Sequence, residues 1–579
     1  MFDTVINHGL LFDGSQAPAR IRHIALLNGR IAAIADDPFP EGSARETVDA
    51  TGKWVMPGFL DTHTHYDAEV IAAPGLKESV RHGVTTVTIG SCSISMALAS
   101  PDDCADLFTR VESVPREHVL PLLRERKTWR SVKGYVDFFD QHPLGPNITS
   151  FLGHSELRAE VMGLARAIDG AVQPTEDELR RMEQILEEAL DAGLLGLSTM
   201  TTPWDKLDGD RFRSASLPST YARWREFRRL NRILRRRQRI HQGAPNIVTK
   251  VNMFLFLWES MGLGRRPLKT TLISLMDLEA NPLLVKLVAP MTRWINRFLR
   301  ADFRWQALPN RFEVYADGID LVIFEEFGAG QAALHLKDAV ERNALMEDED
   351  YRRWFRKDYE NTWGPRVWQR DFHAARIVGC PDASLVNRSF GEIADERGLH
   401  PVDLFLDLVV QFGTELRWHT VIANNRDRMV ERIVDEEAAV ISFADSGAHI
   451  RNMAFYNFPL RLLQLVQRSH QRGEPVMSME KAVWRVTGEL ADWFGIDAGY
   501  LAEGKRADLV ILDPAHLDQP LDAYHEAPIA EFGNIPRMVN RNDGLVDRVY
   551  INGNLAFTEN AYAEDLGQER RFGQFLRAE

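Results

Sequence analysis

The sequence predicts an α/β fold, a large TIM-type (β/α)8 barrel carrying a small β domain assembled from both chain ends. Three observations predict it. Through the middle of the chain, apolar strand-like runs alternate with amphipathic helical patterns, which favours a parallel α/β architecture. Both ends read instead as short strands separated by turn signals. The 579 residues exceed one ordinary domain, and eight strand–helix units with insertions occupy about 400 residues. The expected division is a barrel over residues 56–495 and a small domain from 1–55 plus 496–579.

Taken in order, Asp13-Gly14 and Asn28-Gly29 separate apolar runs such as Ile24–Leu27 and Arg30–Ile34, a hairpin signature. The run Val55–Leu60 reads as a buried strand with a polar end, and His63-Thr64-His65 follows it. On extended backbone, residues two apart project to the same face, so the two imidazoles converge. A second run, Val84–Ile89, ends in Gly90-Ser91-Cys92, and a third covers Asn147–His154. Thr175 with Glu178 forms a capping box ahead of Leu179, Met182, Ile185, Leu186, Ala189 and Leu190, and Gly193 stops that helix. Leu194–Thr199 is then a barrel-type strand, and Ala439–Asp445 is another late in the chain. Gly504–Asp513 and Val546–Gly553 repeat the strand-turn pattern of the opening segment, hence one small domain from both ends.

Composition narrows the function classes. Hydrophobic residues make up 45% and charged residues 26%, the mix of a globular chain. A net charge of −14 disfavours nucleic acid or an anionic membrane surface as the main partner. The arginine-rich Arg223–Arg239 therefore reads as a solvated helix face with an apolar stripe rather than an anion patch. The apolar segment Asn246–Leu299 is interrupted by charges, so it does not span a bilayer; core or an acyl pocket is the expectation, with interfacial membrane contact the minor alternative. Three cysteines make no disulfide framework, and the N-terminus shows no signal-peptide pattern, so a cytoplasmic location is expected. Self-association is left open by the sequence.

In such a barrel, catalytic groups sit at the C-terminal ends of strands. His63 and His65 end the first strand, Cys92 the second, His154 the third, and Asp445 a late one, followed by His449. Imidazole and thiolate together suit Zn²⁺, and a carboxylate beside them can take a proton from an activated water. Hydrolysis of a small-molecule substrate is the expected reaction. His154 and His449 read as groups that orient the ligands rather than as ligands.

VMPGFLDTHTHYDAEV resembles the first-strand signature of the amidohydrolase superfamily. HGVTTVTIGSCSIS, FLGHSELRAEVMG, GLLGLST and ISFADSGAHIR are similar, in order, to D-aminoacylase-type (N-acyl-D-amino-acid deacylase) members, and LAEGKRADLVILDP to the superfamily's closing β-module motif. The resemblance runs from the first strand to about Gly553. It implies a TIM-like barrel with a small β-sandwich built from both ends, zinc, and hydrolysis of an amide C–N bond. By position it makes His63, His65 and Cys92 metal ligands and Asp445 the proton-carrying aspartate that also contacts the metal. Two further histidine ligands expected on the fifth and sixth strands fall on Arg239–Asn246 and Thr271–Asp277, where the sixth has no histidine and His241 is out of register. One zinc ion rather than two follows, with Lys250 or His449 as outside candidates to complete its shell and Arg451 as a candidate for holding a substrate carboxylate. Met253, Phe254, Phe256, Trp258, Leu272, Leu275 and Met276 lie where the family places its fifth and sixth strands, which suggests a hydrophobic substrate group. The alternatives are a barrel that lost catalysis and serves binding or assembly, and a metal-dependent ester, lactone or cyclic-amide hydrolase.

Overall fold

The computed structural model describes residues 1–246, 251–361, 363 and 366–578. Its centre is a run of eight parallel strands: β1 (Phe59–Asp61), β2 (Val84–Ile89), β3 (Asn147–Ser150 and Leu152–Gly153, interrupted at Phe151), β4 (Gly196–Met200), β5 (Ile240–Ala244), β6 (Lys269–Ile273), β7 (Asp302–Ala307) and β8 (Ala439–Ile441). Each pairs with the next in sequence. This is a TIM-barrel-like α/β fold. Helices separate the strands on the outside; four matter below, α1 (Glu176–Asp191), α2 (Trp224–Arg237), α3 (Val251–Ser260) and α4 (Leu284–Phe298).

Local chemistry explains the elements. The Thr175 side chain accepts from Glu178 N–H and the Glu178 side chain from Thr175 N–H, so the expected capping box opens α1. Gly193 follows at φ +97°, a conformation only glycine adopts freely. The arginines of α2 lie across α1: Arg229 reaches Glu183 at 2.5 Å and Arg237 reaches Asp191 at 2.5 Å, while Phe227, Leu230 and Leu234 are buried. The helix is thus a packed, ion-paired face, as its periodicity implied.

Both ends of the chain enter one nine-stranded sheet. Leu509–Leu512 pairs antiparallel with Trp54–Pro57, which pairs in turn with Phe2–Leu11. Ile6, Ile24, Val55, Leu509, Ile511 and Tyr550 form its apolar cluster. The Asn28-Gly29 turn joins its outer hairpin with φ of +52° and +76°. Between β7 and β8 the chain adds an antiparallel sheet (Phe312–Asp317, Arg376–Gly379, Arg417–Ala423) with a separate core around Trp368, Phe372, Phe405 and Trp418.

One expectation fails here. Met253, Phe254, Phe256 and Trp258 lie on α3, a helix outside the strands, and only Leu272 of that apolar set is on a strand. Phe254 is 56% and Trp258 62% exposed, so these two side chains face away from the strands.

A hairpin of His525–Ile529 and Ile535–Val539 returns to the mouth of the strands. It is anchored by Arg537, which is buried, 2.7 Å from Glu69 Oε1, and stacked 5.7 Å over the Tyr456 ring. Arg537→Met is expected to strand the buried Glu69 carboxylate and lower the unfolding free energy by about 3–5 kcal/mol, read from urea titration of the wild type and variant.

Candidate metal and catalytic site

Beyond β1 the chain carries His63 and His65, both fully buried, with ring centroids 5.2 Å apart. Beyond β2, Cys92 adopts φ +51° and brings its Sγ to 3.4 Å from His63 Nε2. Donor atoms of His63, His65 and Cys92 all lie within 4.8 Å of one another. Asp445, four residues past β8 and at φ +50°, puts Oδ1 at 3.3 Å from His63 Nε2 and 3.5 Å from His65 Nε2. The contact is made by a single parallel bridge, Thr64 with Ser446, and by His65 N–H donating to the Ser446 carbonyl at 2.8 Å.

The electrostatics are those of a cation site. Burial pushes the His63 imidazole down to about 4, with Asp445 opposing, so His63 is neutral and its lone pair is available. Burial also disfavours charge on His65, yet Glu112, Asp445 and Cys92 around it hold it well above the usual histidine range. Glu112 Oε1 stands 3.1 Å from His65 Nδ1. The field that retains a proton on His65 would equally attract a metal ion. Burial raises the Cys92 thiol to about 12, so its thiolate needs a cation beside it. Burial likewise works against charge on Asp445, but the His65 imidazole 3.5 Å away holds it below the ordinary carboxylate range. Its Oδ1 is buried without a hydrogen-bond partner among the described residues while two imidazoles face it. Two imidazoles, a thiol and a carboxylate converging on one point fit a bound cation that would displace the protons of His65 and Cys92, and a sulfur and nitrogen donor set fits zinc.

Neighbours orient these groups. Gln306 on β7 lies 2.5 Å from His63 Nδ1 and in turn donates to Thr271 on β6 at 3.3 Å. Asp61 accepts from His63 N–H at 3.3 Å and from Ser446 Oγ at 3.2 Å, and burial raises it to about 7. Gln306 and Glu112 were not singled out by the sequence. Gln306 is near the end of a strand and carries no charge to mark it; Glu112 sits in a turn between two helices of the long connection after β2, outside their periodic runs.

The remaining candidates fall in different places. His154 is buried away from the donor cluster, 2.7 Å from Glu226, which also binds Arg158, and 3.5 Å from Thr199. It braces the β3 end against α2. His449 sits beside the site, Nδ1 3.3 Å from Ser113 Oγ, with burial lowering it against Glu112 and Asp445. Arg451 is bound by Asp317 at 2.6 Å and Glu526 at 3.1 Å, so it reaches a substrate carboxylate only by giving up a partner. Lys250 lies outside the described residues. His241 stacks among Phe227 of α2 and Phe256 of α3, in the helix layer. Alternation along β5 then turns Gln242 to the opposite face, where neither its Oε1 nor its Nε2 has a partner among the described residues. His241 thus faces the helix layer, and Gln242 occupies the inward position.

Beside His449 opens a cavity of about 720 Å³. Ser113, Asp205, Ile450 and Arg451 line it near the site, Val322 and Leu334 from the inserted region line it farther out, and Asn534 and Ile535 of the hairpin close one side. Cys92→Ser and His65→Ala are each expected to abolish stoichiometric metal binding, measured by inductively coupled plasma mass spectrometry on freshly purified protein, with circular dichroism unchanged.

Residues 46–224 and 367–556 each match an amidohydrolase family model. An uncharacterised protein of Mycobacterium tuberculosis is 49% identical over 585 residues, spanning 100% of this chain and 96% of its own length. The D-aminoacylase of Alcaligenes xylosoxydans xylosoxydans is 35% identical over 202 residues, 34% of this chain and 37% of that protein. Among solved structures, a D-aminoacylase superposes with a TM-score of 0.62 at 23% identity, and an N-acyl-D-glutamate deacylase of Bordetella bronchiseptica, complexed with zinc and a phosphonate inhibitor, with 0.62 at 22%; both cover the two chains completely.

Proposed function

Because this chain belongs to the amidohydrolase superfamily, in its D-aminoacylase-like branch, and is a hydrolase acting on C–N bonds, we propose that it cleaves the amide of an N-acyl amino acid, or a related amide with a hydrophobic group. The reading assigns one zinc ion to His63, His65 and Cys92, with Asp445 at its edge. The observation that carries it is the donor cluster within 4.8 Å with Asp445 Oδ1 3.3 and 3.5 Å from its two imidazoles. A zinc ion there would polarise the scissile carbonyl and acidify the attacking water.

The chain's own residues do the rest. Asp445, ionised at neutral pH, accepts the proton of the attacking water and returns it to the leaving nitrogen. Gln306 and Glu112 fix the His63 and His65 rings through their second nitrogens. The cavity beside His449 receives the substrate, its Val322, Leu334, Ile450 and Ile535 side chains offering apolar surface for the hydrophobic group. We also assign 56–495 to a closed barrel and 1–55 plus 496–579 to one small β-sandwich domain. The Thr64–Ser446 bridge and the nine-stranded sheet shared by both chain ends support that division.

Asp445→Asn is expected to lower turnover of a cleaved N-acyl amino acid by about 10²–10⁴-fold, in a panel of N-acyl-D- and N-acyl-L-amino acids assayed for free amine. Near-normal turnover by this variant removes the role given to Asp445; zinc-loaded wild type inactive across the panel, yet hydrolysing esters or lactones, favours that chemistry instead.

A further inference from the structure

The failure of the α3 segment to enter the strands leaves an outer surface that no other described residue covers. Of the fourteen exposed large apolar side chains among the described residues, seven fall between residues 254 and 298. On α4 the inner face, Val285, Val288, Ala289 and Ile295, is buried, while Leu287, Trp294 and Phe298 are 68%, 54% and 59% exposed. Spacings of seven and four place those three on one stripe. On α3, Phe256 and Leu257 are buried and Phe254 and Trp258, four apart, face out. The two helices are neighbours: α3 packs on β6 and β7, α4 on β7, and Gly262 N–H just past α3 donates to the Leu299 carbonyl just past α4 at 3.1 Å. Leu263, 57% exposed, lies at that junction.

The charges around this patch are mainly basic, although Glu279 is exposed and Asp302 and Glu437 lie beside Trp294 and Phe298. From 252 to 300 there are seven basic and three acidic residues in a chain of net charge −14. Two of the acids are buried and engaged, Glu259 by Arg235 and Asp277 by Arg426. Arg266, Lys286, Arg297 and Arg300 are exposed and meet no carboxylate among the described residues. On α2, Arg228 and Arg232 share a stripe with Arg235, whose contact to Glu259 shows that this stripe faces α3, and they extend the basic border. At physiological ionic strength charges beyond about 8 Å are screened, so the border rather than the distant acidic surface sets the local potential.

We propose that the outer faces of α3 and α4 form a peripheral membrane-docking surface, seating Phe254, Trp258, Trp294 and Phe298 in the headgroup region of an anionic bilayer. Aromatic and aliphatic side chains bordered by Lys and Arg are the composition of an interfacial helix surface. A second copy fits it poorly, because a two-fold contact sets the patch against itself and brings arginine against arginine. No helix among the described residues is long and apolar enough to cross a membrane, so the contact is superficial. This inference holds independently of the amide-hydrolase reading.

The test is co-sedimentation of the full chain with vesicles of phosphatidylcholine alone and of phosphatidylcholine with phosphatidylglycerol, at low and physiological salt. Wild type is expected to pellet with the anionic vesicles, be released by salt, and ignore phosphatidylcholine alone. The double variant Trp258→Ser, Trp294→Ser should bind at least about tenfold more weakly, and Arg297→Glu about fivefold or more, with melting temperatures unchanged because all three side chains are exposed. Wild type remaining in solution with anionic vesicles, or both variants binding as it does, overturns the proposal. So does light scattering that shows a dimer which the tryptophan variant dissociates, or an acidic protein retained by the patch in place of lipid.

Discussion

The site depends on one contact between the two ends of the strand order. His65 N–H donates to the Ser446 carbonyl at 2.8 Å and Thr64 bridges Ser446 in parallel, and this short pairing brings residues about two-thirds of the chain length apart to one point. Asp445 meets His63 and His65 only because of it. Thr62 adds to the same seam through hydrogen bonds to Ser442 Oγ at 2.5 and 2.9 Å. Everything else in the architecture, from the shared terminal sheet to the inserted region after β7, surrounds that seam.

Precision here is obtained at a conformational cost. Cys92, Ser93, Asp445 and His449 all take positive φ, between +48° and +72°, although none is glycine. Such positions cost about 1–3 kcal/mol each and persist where the surroundings over-determine them. Gly90 and Gly447, also at positive φ, stand next to this set, and a Cβ on Gly447 would lie 2.8 Å from the His65 backbone. The turns are bent so that thiol and carboxylate face two imidazoles whose own spacing is fixed by extended backbone. A cation bound among them would take the place of the protons that His65 and Cys92 otherwise hold there.

Much of this was legible in the sequence, for identifiable reasons. His63-Thr64-His65 and Gly90-Ser91-Cys92 follow short apolar runs, so strand period and strand end could be read locally. The α1 capping box and the Asn28-Gly29 turn are likewise local chemistry. What escaped was the non-local pairing. Arg451 looked available until Asp317, from the inserted region, and Glu526, from the terminal hairpin, were seen to hold it. Glu112 and Gln306 gain their roles only from the partner opposite. The 253–258 run was placed at the fifth and sixth strands by the resemblance alone, whereas the four-residue spacing of its apolar residues belongs to a helix with two apolar faces, one against the strands and one outward.

The most direct test of the account is zinc K-edge X-ray absorption on the metal-loaded protein. It should show one sulfur at about 2.3 Å with nitrogen or oxygen neighbours near 2.0–2.1 Å, and the sulfur contribution should vanish in Cys92→Ser. A shell of nitrogen and oxygen alone in the wild type, or no zinc retained after loading, would contradict the site as built here.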